Sequence, residues 1–322
     1  MRLLRRLLPY LVLVLMIAGG WLFLVNRDYL HDQVVLRGYT PSADIAVLAA
    51  DTAMTEYGQR LFYVNKPQLD DKIAFNEACR DLGEEAAVLG CYKGNRQGIH
   101  IYDITDPRLH GIEQVTAAHE MLHQAYDRLD SKTRARIGAL LEDYYRSGLA
   151  DEGVKSKMAI YEKDGANLAN EMHSIFGTEI NELPVELEAY YSRYFTDRQK
   201  VVEFRNLSKA EFEKYRSQIE NYDRRLEELR PQIDQMEQQL KEEVAELQAA
   251  KSKLDADLAA GRVQEYNAGV APYNALVAQY NRDLAALNRK IEEYNRLVQE
   301  RNALSVQVSE LNKALDSILT PQ

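Results

Sequence analysis

Val115-Thr116-Ala117-Ala118-His119-Glu120-Met121-Leu122-His123-Gln124-Ala125-Tyr126 is the stretch from which the rest of the chain is read. His119 and His123 are four positions apart, one turn of an α-helix, so both imidazoles can grip one zinc ion. Glu120 follows the first histidine and can stand beside the metal without binding it. There it can take a proton from the attacking water and pass it to a leaving amine. A helix is expected here because Val115, Ala118, Leu122, Ala125, Tyr126 and Leu129 recur at helical spacing. On that wheel the two histidines flank the apolar stripe, and Glu120 lies beside His123, further out. The competing reading is a pair of ordinary half-buried histidines beside a solvated glutamate.

Catalytic zinc usually takes three protein ligands and leaves a fourth position for water. A third ligand is expected downstream, on a helix through Ala166-Asn167-Leu168-Ala169-Asn170-Glu171-Met172-His173-Ser174-Ile175-Phe176-Gly177. Leu168, Met172 and Ile175 give that helix an apolar face, and Gly177 is placed to end it. Glu171 and His173 are both able to bind zinc. Being two apart, they point to nearly opposite sides of a helix, so only one is expected to reach the metal.

His119-Glu120-x-x-His123 followed by Asn170-Glu171 resembles the gluzincin group of zinc metallopeptidases. The likeness covers roughly residues 95 to 180 and is specific at about five positions. It implies His119, His123 and Glu171 as ligands of one zinc per chain, and Glu120 as general base. Some gluzincins carry the longer pattern N-E-x-x-x-D. Here Ile175 stands where the aspartate would be, so Asp127, one turn beyond His123, is a substitute candidate for orienting an imidazole. A solvated carboxylate is the plain alternative for Asp127. Asn170 and His173 are further candidates for supporting the ligands or the oxyanion.

The stretch Gly98-Ile99-His100-Ile101-Tyr102-Asp103-Ile104 reads as a strand, bounded by Gly98 and by Asp106-Pro107. Zincins similar to this chain place an edge strand there, which implies that Ile99, His100, Ile101 and Tyr102 pair with an extended substrate. His100, His110 and His173 are candidates for polarising a substrate carbonyl, and otherwise polar residues at the rim. A developing oxyanion needs a donor besides the metal. Tyr190-Tyr191-Ser192-Arg193-Tyr194 could supply one, or could simply pack as an amphipathic aromatic helix.

Leu7 to Val25 form an uncharged, mainly apolar run of nineteen residues preceded by Arg2, Arg5 and Arg6. That run is close to bilayer length, and the arginines favour the cytoplasmic side, so a single-pass signal anchor is expected with the body outside the cytoplasm. A cleaved signal peptide is the alternative. Cys79 and Cys91 are the only cysteines and are expected to pair in an oxidising compartment, with two free thiols as the alternative. A bridge across so short a loop could add roughly 3 kcal/mol. The formal charge is −10 and no basic patch follows the N-terminal arginines, which argues against a nucleic-acid partner.

From about residue 206 apolar residues recur at alternating spacings of three and four. One seam is Phe212, Tyr215, Ile219, Tyr222, Leu226, Leu229, Ile233, Met236 and Leu240, continued by Leu247 and Leu254. A second is Val270, Tyr273, Val277, Tyr280, Leu284, Leu287, Ile291, Tyr294 and Val298. Both have the period of a left-handed coiled coil. Ala259-Ala260-Gly261-Arg262, and later Gly269 and Pro272, are places where a chain can reverse. The expectation is an antiparallel hairpin of two helices of about 45 residues, each roughly 65 to 70 Å long. With reversal near residue 264, Leu226 should meet the region of Asn302, and Leu247 the region of Tyr280 and Asn281. Pro231 should kink the first helix. Asparagine recurs every seven residues at 267, 274, 281, 288, 295 and 302. Either it sets the register across the hairpin, or it forms a stripe that docks another protein or a second copy.

The expected architecture is therefore mainly α. A membrane anchor occupies residues 1–25, a zincin-like α+β domain of helices with a small sheet 26–205, a coiled-coil hairpin 206–318 and a tail 319–322. The expected activity is zinc-dependent hydrolysis of a peptide or protein substrate outside the cytoplasm. The rival is a non-enzymatic envelope scaffold whose coiled coil carries the function and whose zinc site is structural or degenerate.

Overall fold

The apolar stripe around the two histidines folds as one helix, α6 (Ile112–Asp127), and the first unit is built about it. The computed structural model describes residues 2–79, 89–94, 97–164 and 168–317 and, for residues 2–12, 14, 163 and 164, the backbone alone. The chain divides into two compact units, Met1–Ala210 with Lys313–Gln322, and Glu211–Asn312.

In the first unit α1 (Arg2–Val25) and α2 (Arg27–Val35) lead into α3 (Ala43–Asp51) and α4 (Glu56–Tyr63). Ser42 and Thr55 cap α3 and α4 by accepting from Ile45 N and Gly58 N, which fixes where each helix starts. Then follow β1 (Gln68–Asp70), α5 (Lys72–Cys79), β2 (Gly90–Lys93), β3 (Gly98–Tyr102) and a 3₁₀ turn at Pro107–Leu109. After α6 come α7 (Ser131–Ser147), α8 (Glu152–Asp164), α9 (Leu168–Glu179) and α10 (Val185–Tyr191). The core joins Ala117, Ala118, Met121 and Leu122 of α6 to Ile99 and Ile101 of β3, Phe62 of α4, Ile137 and Leu141 of α7, and Ile175 and Phe176 of α9.

The three described strands lie in the order β1-β3-β2, with β1 parallel and β2 antiparallel to β3. Ile99 to Tyr102 therefore form the central strand rather than an edge. His100 stands between Gln68 and Cys91, and Ile101 between Leu69 and Gly90. Its ladder groups are used on both sides, so it has none to give an extended peptide. The strand was expected correctly and its place in the sheet was not.

Gly177 does not end α9, which continues to Glu179. A Cβ at Gly177 would stand 2.4 Å from Leu122 Cδ1 and 2.7 Å from Tyr191 Cε1. The glycine is there so that α9 can close on α6 and α10.

Cys79 and Cys91 form a disulfide, with Cα atoms 6.0 Å apart, tying the end of α5 to β2. The residues just after α12 (Val263–Ala314) also reach α5: Lys72 Nζ lies 3.1 Å from Asp316 Oδ2, and Asn76 donates to the Ser317 carbonyl. Leu13, Leu15, Met16, Ile17, Trp21, Leu22, Phe23, Leu24 and Val25 of α1 are exposed. Among the described residues no helix is long and apolar enough to cross a membrane, and within the expected span Leu7–Val25 the side chains of residues 7–12 and 14 lie outside the description.

The second unit contains most of two long helices, α11 (Gln199–Ala259) and α12 (Val263–Ala314), packed against each other. α11 begins earlier than the coiled-coil pattern, because Val201 and Val202 are buried in the first unit before the seam starts. Pro231 and Pro272 both lie inside helices, so Pro272 is not a reversal point. The chain turns at Gly261, whose φ of +70° suits glycine. That is earlier than residue 264, and the cross-helix pairs shift with it. Arg225 meets Glu293 at 3.3 Å, Gln232 meets Lys290 at 2.8 Å and Asp223 meets Arg301 at 3.0 Å. Nearer the turn, Gly269 faces the Leu254 side chain. Stepping back by heptads sets Leu247 opposite Leu276 and Leu226 opposite Leu297, which is fully buried. The expected partners near Asn281 and Asn302 lie about one turn away. All six heptad asparagines are exposed, and charged and glutamine side chains make the polar cross-helix contacts at Arg225–Glu293, Gln232–Lys290 and Asp223–Arg301.

Candidate metal centre

α6 presents His119, Glu120 and His123 with their donor atoms all within 4.8 Å of one another, a group that could hold a metal ion. α9 packs across α6 and brings Glu171 to the same place. Its Oε2 lies 3.5 Å from His119 Nε2 and its Oε1 3.5 Å from His123 Nε2. Glu171 and His123 are buried, and His119 is the more open of the imidazoles.

The other ring nitrogen of His123 decides what the site can bind. His123 Nδ1 is 3.1 Å from Asn170 Oδ1 and 3.3 Å from Ser174 Oγ. Burial, then the neighbouring His119, push the His123 pKa down to about 4, so the ring is neutral at pH 7. With Asn170 Oδ1 accepting from Nδ1–H, the Nε2 lone pair of the neutral ring faces a carboxylate oxygen. A divalent cation between the two, 3.5 Å apart, would satisfy both. The donor set therefore fits a divalent metal. Asn170 orients the imidazole, the task considered for Asp127, while Asp127 accepts from the Tyr92 hydroxyl at 3.0 Å.

His119 and Glu171 titrate as partners. Burial lowers the His119 pKa, but the hydrogen bond to Glu171 and nearby carboxylates bring it above the usual imidazole value. Burial raises Glu171, but the His119 hydrogen bond, the two imidazole charges and a hydrogen bond from Tyr161 bring it below the usual carboxylate value.

Glu120 is buried rather than turned outward. It lies under β2, where a Cβ on Gly90 would stand 2.7 Å from Glu120 Oε1 and 2.4 Å from Thr116 Cγ2. The missing side chain at Gly90 gives the carboxyl its room. Tyr92, two residues along β2, stacks on His123 with planes 9° apart.

The remaining candidates lie elsewhere. His173 is fully buried on the far side of α9, with Nε2 2.8 Å from the Tyr190 hydroxyl, and burial lowers its pKa to about 3. Tyr191 donates to the His173 carbonyl, and the Tyr190 and Tyr194 hydroxyls meet at 3.1 Å. The tyrosine cluster is thus aromatic packing around His173, its hydroxyls already engaged with His173 and one another. His100 Nδ1 is 2.6 Å from Asp70 Oδ2 on β1, and His110 meets the Phe204 ring. Gly90, Tyr92, Tyr161 and Ser174 were not singled out from sequence. Only Ser174 carried a usable signal, one helical turn beyond Asn170.

No protein-family model, curated protein or solved structure matches this chain.

Proposed function

We propose that the protein is a zinc-dependent peptidase of the gluzincin kind, anchored in a membrane by α1 with its body outside the cytoplasm. The observation that carries the reading is the convergence of the His119 and His123 Nε2 atoms on the Glu171 carboxylate, with Glu120 beside them. His119, His123 and Glu171 would hold the ion. Bound there, zinc would supply a Lewis acid for a peptide carbonyl and lower the pKa of the attacking water. Glu120 would accept a proton from that water at its carboxylate and return it to the leaving amine nitrogen. Tyr161, whose hydroxyl hydrogen-bonds Glu171, is the tyrosine at the donor set, and it is a nearer candidate for the oxyanion donor than Tyr190, Tyr191 and Tyr194, which surround His173.

β3 cannot take a substrate strand, so the pairing strand is β2. Its described partner is β3 on one side, and its Gly90 and Tyr92 lie at Glu120 and His123. An extended peptide laid along β2 would pass over the catalytic groups. The exposed apolar surface of α1 and the disulfide at β2 both suit an anchored protein facing an oxidising compartment.

The test is metal content and chelator-sensitive cleavage of an unfolded protein substrate by the purified full chain in detergent. About one zinc per chain is expected, lost in His119→Ala. Full zinc occupancy in His119→Ala would refute the ligand assignment.

A further inference from the structure

Tyr92 is joined to α6 by more than its ring. Its hydroxyl lies 2.6 Å from the Gln124 side chain and donates to Asp127 Oδ2 at 3.0 Å. The Gln124 amide satisfies both of its neighbours when its oxygen faces Arg128. Oε1 then accepts from Arg128 Nε at 2.6 Å and Nη2 at 3.1 Å, while its nitrogen donates to the Tyr92 oxygen at 2.6 Å. In this orientation the single tyrosine proton is left for Asp127. Arg128 in turn grips Asp32 of α2, through Nη2 to Oδ1 at 2.7 Å and through Nη1 to Oδ2. Asp32 is fully buried.

A polar chain thus runs from Asp32 through Arg128 and Gln124 to Tyr92, and on to Asp127. Gln124, Asp127 and Arg128 stand at i, i+3 and i+4 of the α6 turn just after His123, so one helix face holds three of its members. Charge-assisted links at the Asp32 end and the low dielectric around them make such a chain stiff. The far end is the Tyr92 ring, parallel to the His123 imidazole with centroids 6.4 Å apart. Asn170 and Ser174 hold one edge of that imidazole, and nothing in those two contacts stops it tilting out of its plane.

We infer that Tyr92 is a positioning residue for His123, held in place by the polar chain from Asp32, so that the metal-binding geometry is tied to α2. The inference rests on the reading of His123 as a metal ligand. In this role the Tyr92 side chain touches neither metal nor substrate, whatever its backbone pairs with. It limits the tilt of the ring, and the chain limits the travel of Tyr92.

The experiment uses the full chain in detergent, labelled with ¹⁵N at histidine, and two readouts. One is the His123 tautomer in metal-free protein. The other is zinc affinity by chelator competition. The wild type should show one neutral His123 tautomer, protonated at Nδ1. Tyr92→Leu, which removes ring and hydroxyl, should give a tautomer mixture and about tenfold weaker zinc binding. Tyr92→Phe, which keeps the ring, should move both readouts the same way by less. Asp32→Asn, at the other end of the chain, should resemble Tyr92→Phe. Should Tyr92→Leu fail to fold, Tyr92→Phe and Gln124→Met carry the test by the same two readouts. A wild-type tautomer and affinity in Tyr92→Leu, or in both substitute variants, would overturn the positioning role. Wild-type behaviour in Asp32→Asn beside a shifted Tyr92→Phe would overturn the link to α2. The tautomer readout needs no metal, so a chain that bound no zinc would sink the metalloenzyme reading while still deciding the role of Tyr92.

Discussion

In the proposed peptidase, Glu120 separates binding from chemistry. It is buried beside the histidine pair and pressed under β2, while Glu171 is the carboxylate that meets both Nε2 atoms. Glu120→Gln should keep zinc and lower hydrolysis by several orders of magnitude, read by metal analysis and turnover on the same sample. Loss of the metal itself would make Glu120 a ligand. Glu171 gives a pH-dependent outcome in the metal-free chain. His119 is raised from 6.5 on folding, so its stabilisation is complete below 6.5 and disappears as pH rises through its folded value. Glu171 is lowered from 4.5, so its stabilisation is complete above 4.5 and disappears as pH falls through its folded value. Both are present between those two values. The fall in metal-free Tm caused by Glu171→Gln should be largest there and shrink toward alkaline pH. A penalty that grew from pH 6 to 9 would reverse the assigned sign. The sequence disclosed His119, Glu120 and His123 because their relation is local and helical. Glu171 stood beside His173 as a candidate on the downstream helix, and only the resemblance to a longer motif chose between them. Tyr92 and Tyr161 carry no local signal, since their roles come from strands and helices that meet after folding.

At the scale of elements, two glycines do work that their neighbours in sequence do not reveal. Gly90 makes space for Glu120, so in the proposed peptidase Gly90→Ala should displace Glu120 or the strand, lowering turnover at least tenfold without loss of zinc. Zinc content and kcat measured together check this, and unchanged kcat would mean that β2 yields easily. Gly177 lets α9 approach Leu122 and Tyr191 to distances no side chain allows. Gly177→Ala should cost about 1–3 kcal/mol by overpacking, measured by denaturant unfolding of the metal-free chain. From sequence, that glycine read as a helix stop, because a glycine that ends a helix and one that admits a neighbour look alike in a short window. The misplacement of β3 has a similar origin. β-Branched residues with a glycine boundary identify Ile99 to Tyr102 as a strand, but the pairing order depends on β1, a three-residue strand with no periodic signature.

For the molecule as a whole, the long-range pairing of the hairpin was legible except for its register. Seam periodicity gave the two helices and the glycine-containing break between them gave their antiparallel sense, while the turn was misplaced because Gly261, Gly269 and Pro272 are all chain breakers on local grounds. Gly261 is the one with a positive φ, and helix α12 runs on through the other two. In an antiparallel pair each residue by which the turn moves shifts every cross-helix partner by two, so a small error at the tip becomes about one helical turn along the arm. The contact between Gly269 and Leu254 anchors the corrected register, and one heptad further it sets Leu247 opposite Leu276. The paired substitutions Leu247→Cys and Leu276→Cys, with the Cys79–Cys91 bridge left oxidised, should therefore cross-link within one chain. Leu247→Cys with Asn281→Cys should cross-link much more slowly. Mass spectrometry of the linked peptides distinguishes the two pairs and shows whether a link lies within or between chains. Faster linkage at 281 would restore a turn near residue 264. Linkage only between copies, at 247 with 247, would replace the hairpin with a parallel dimer, since in that arrangement each residue faces its own counterpart.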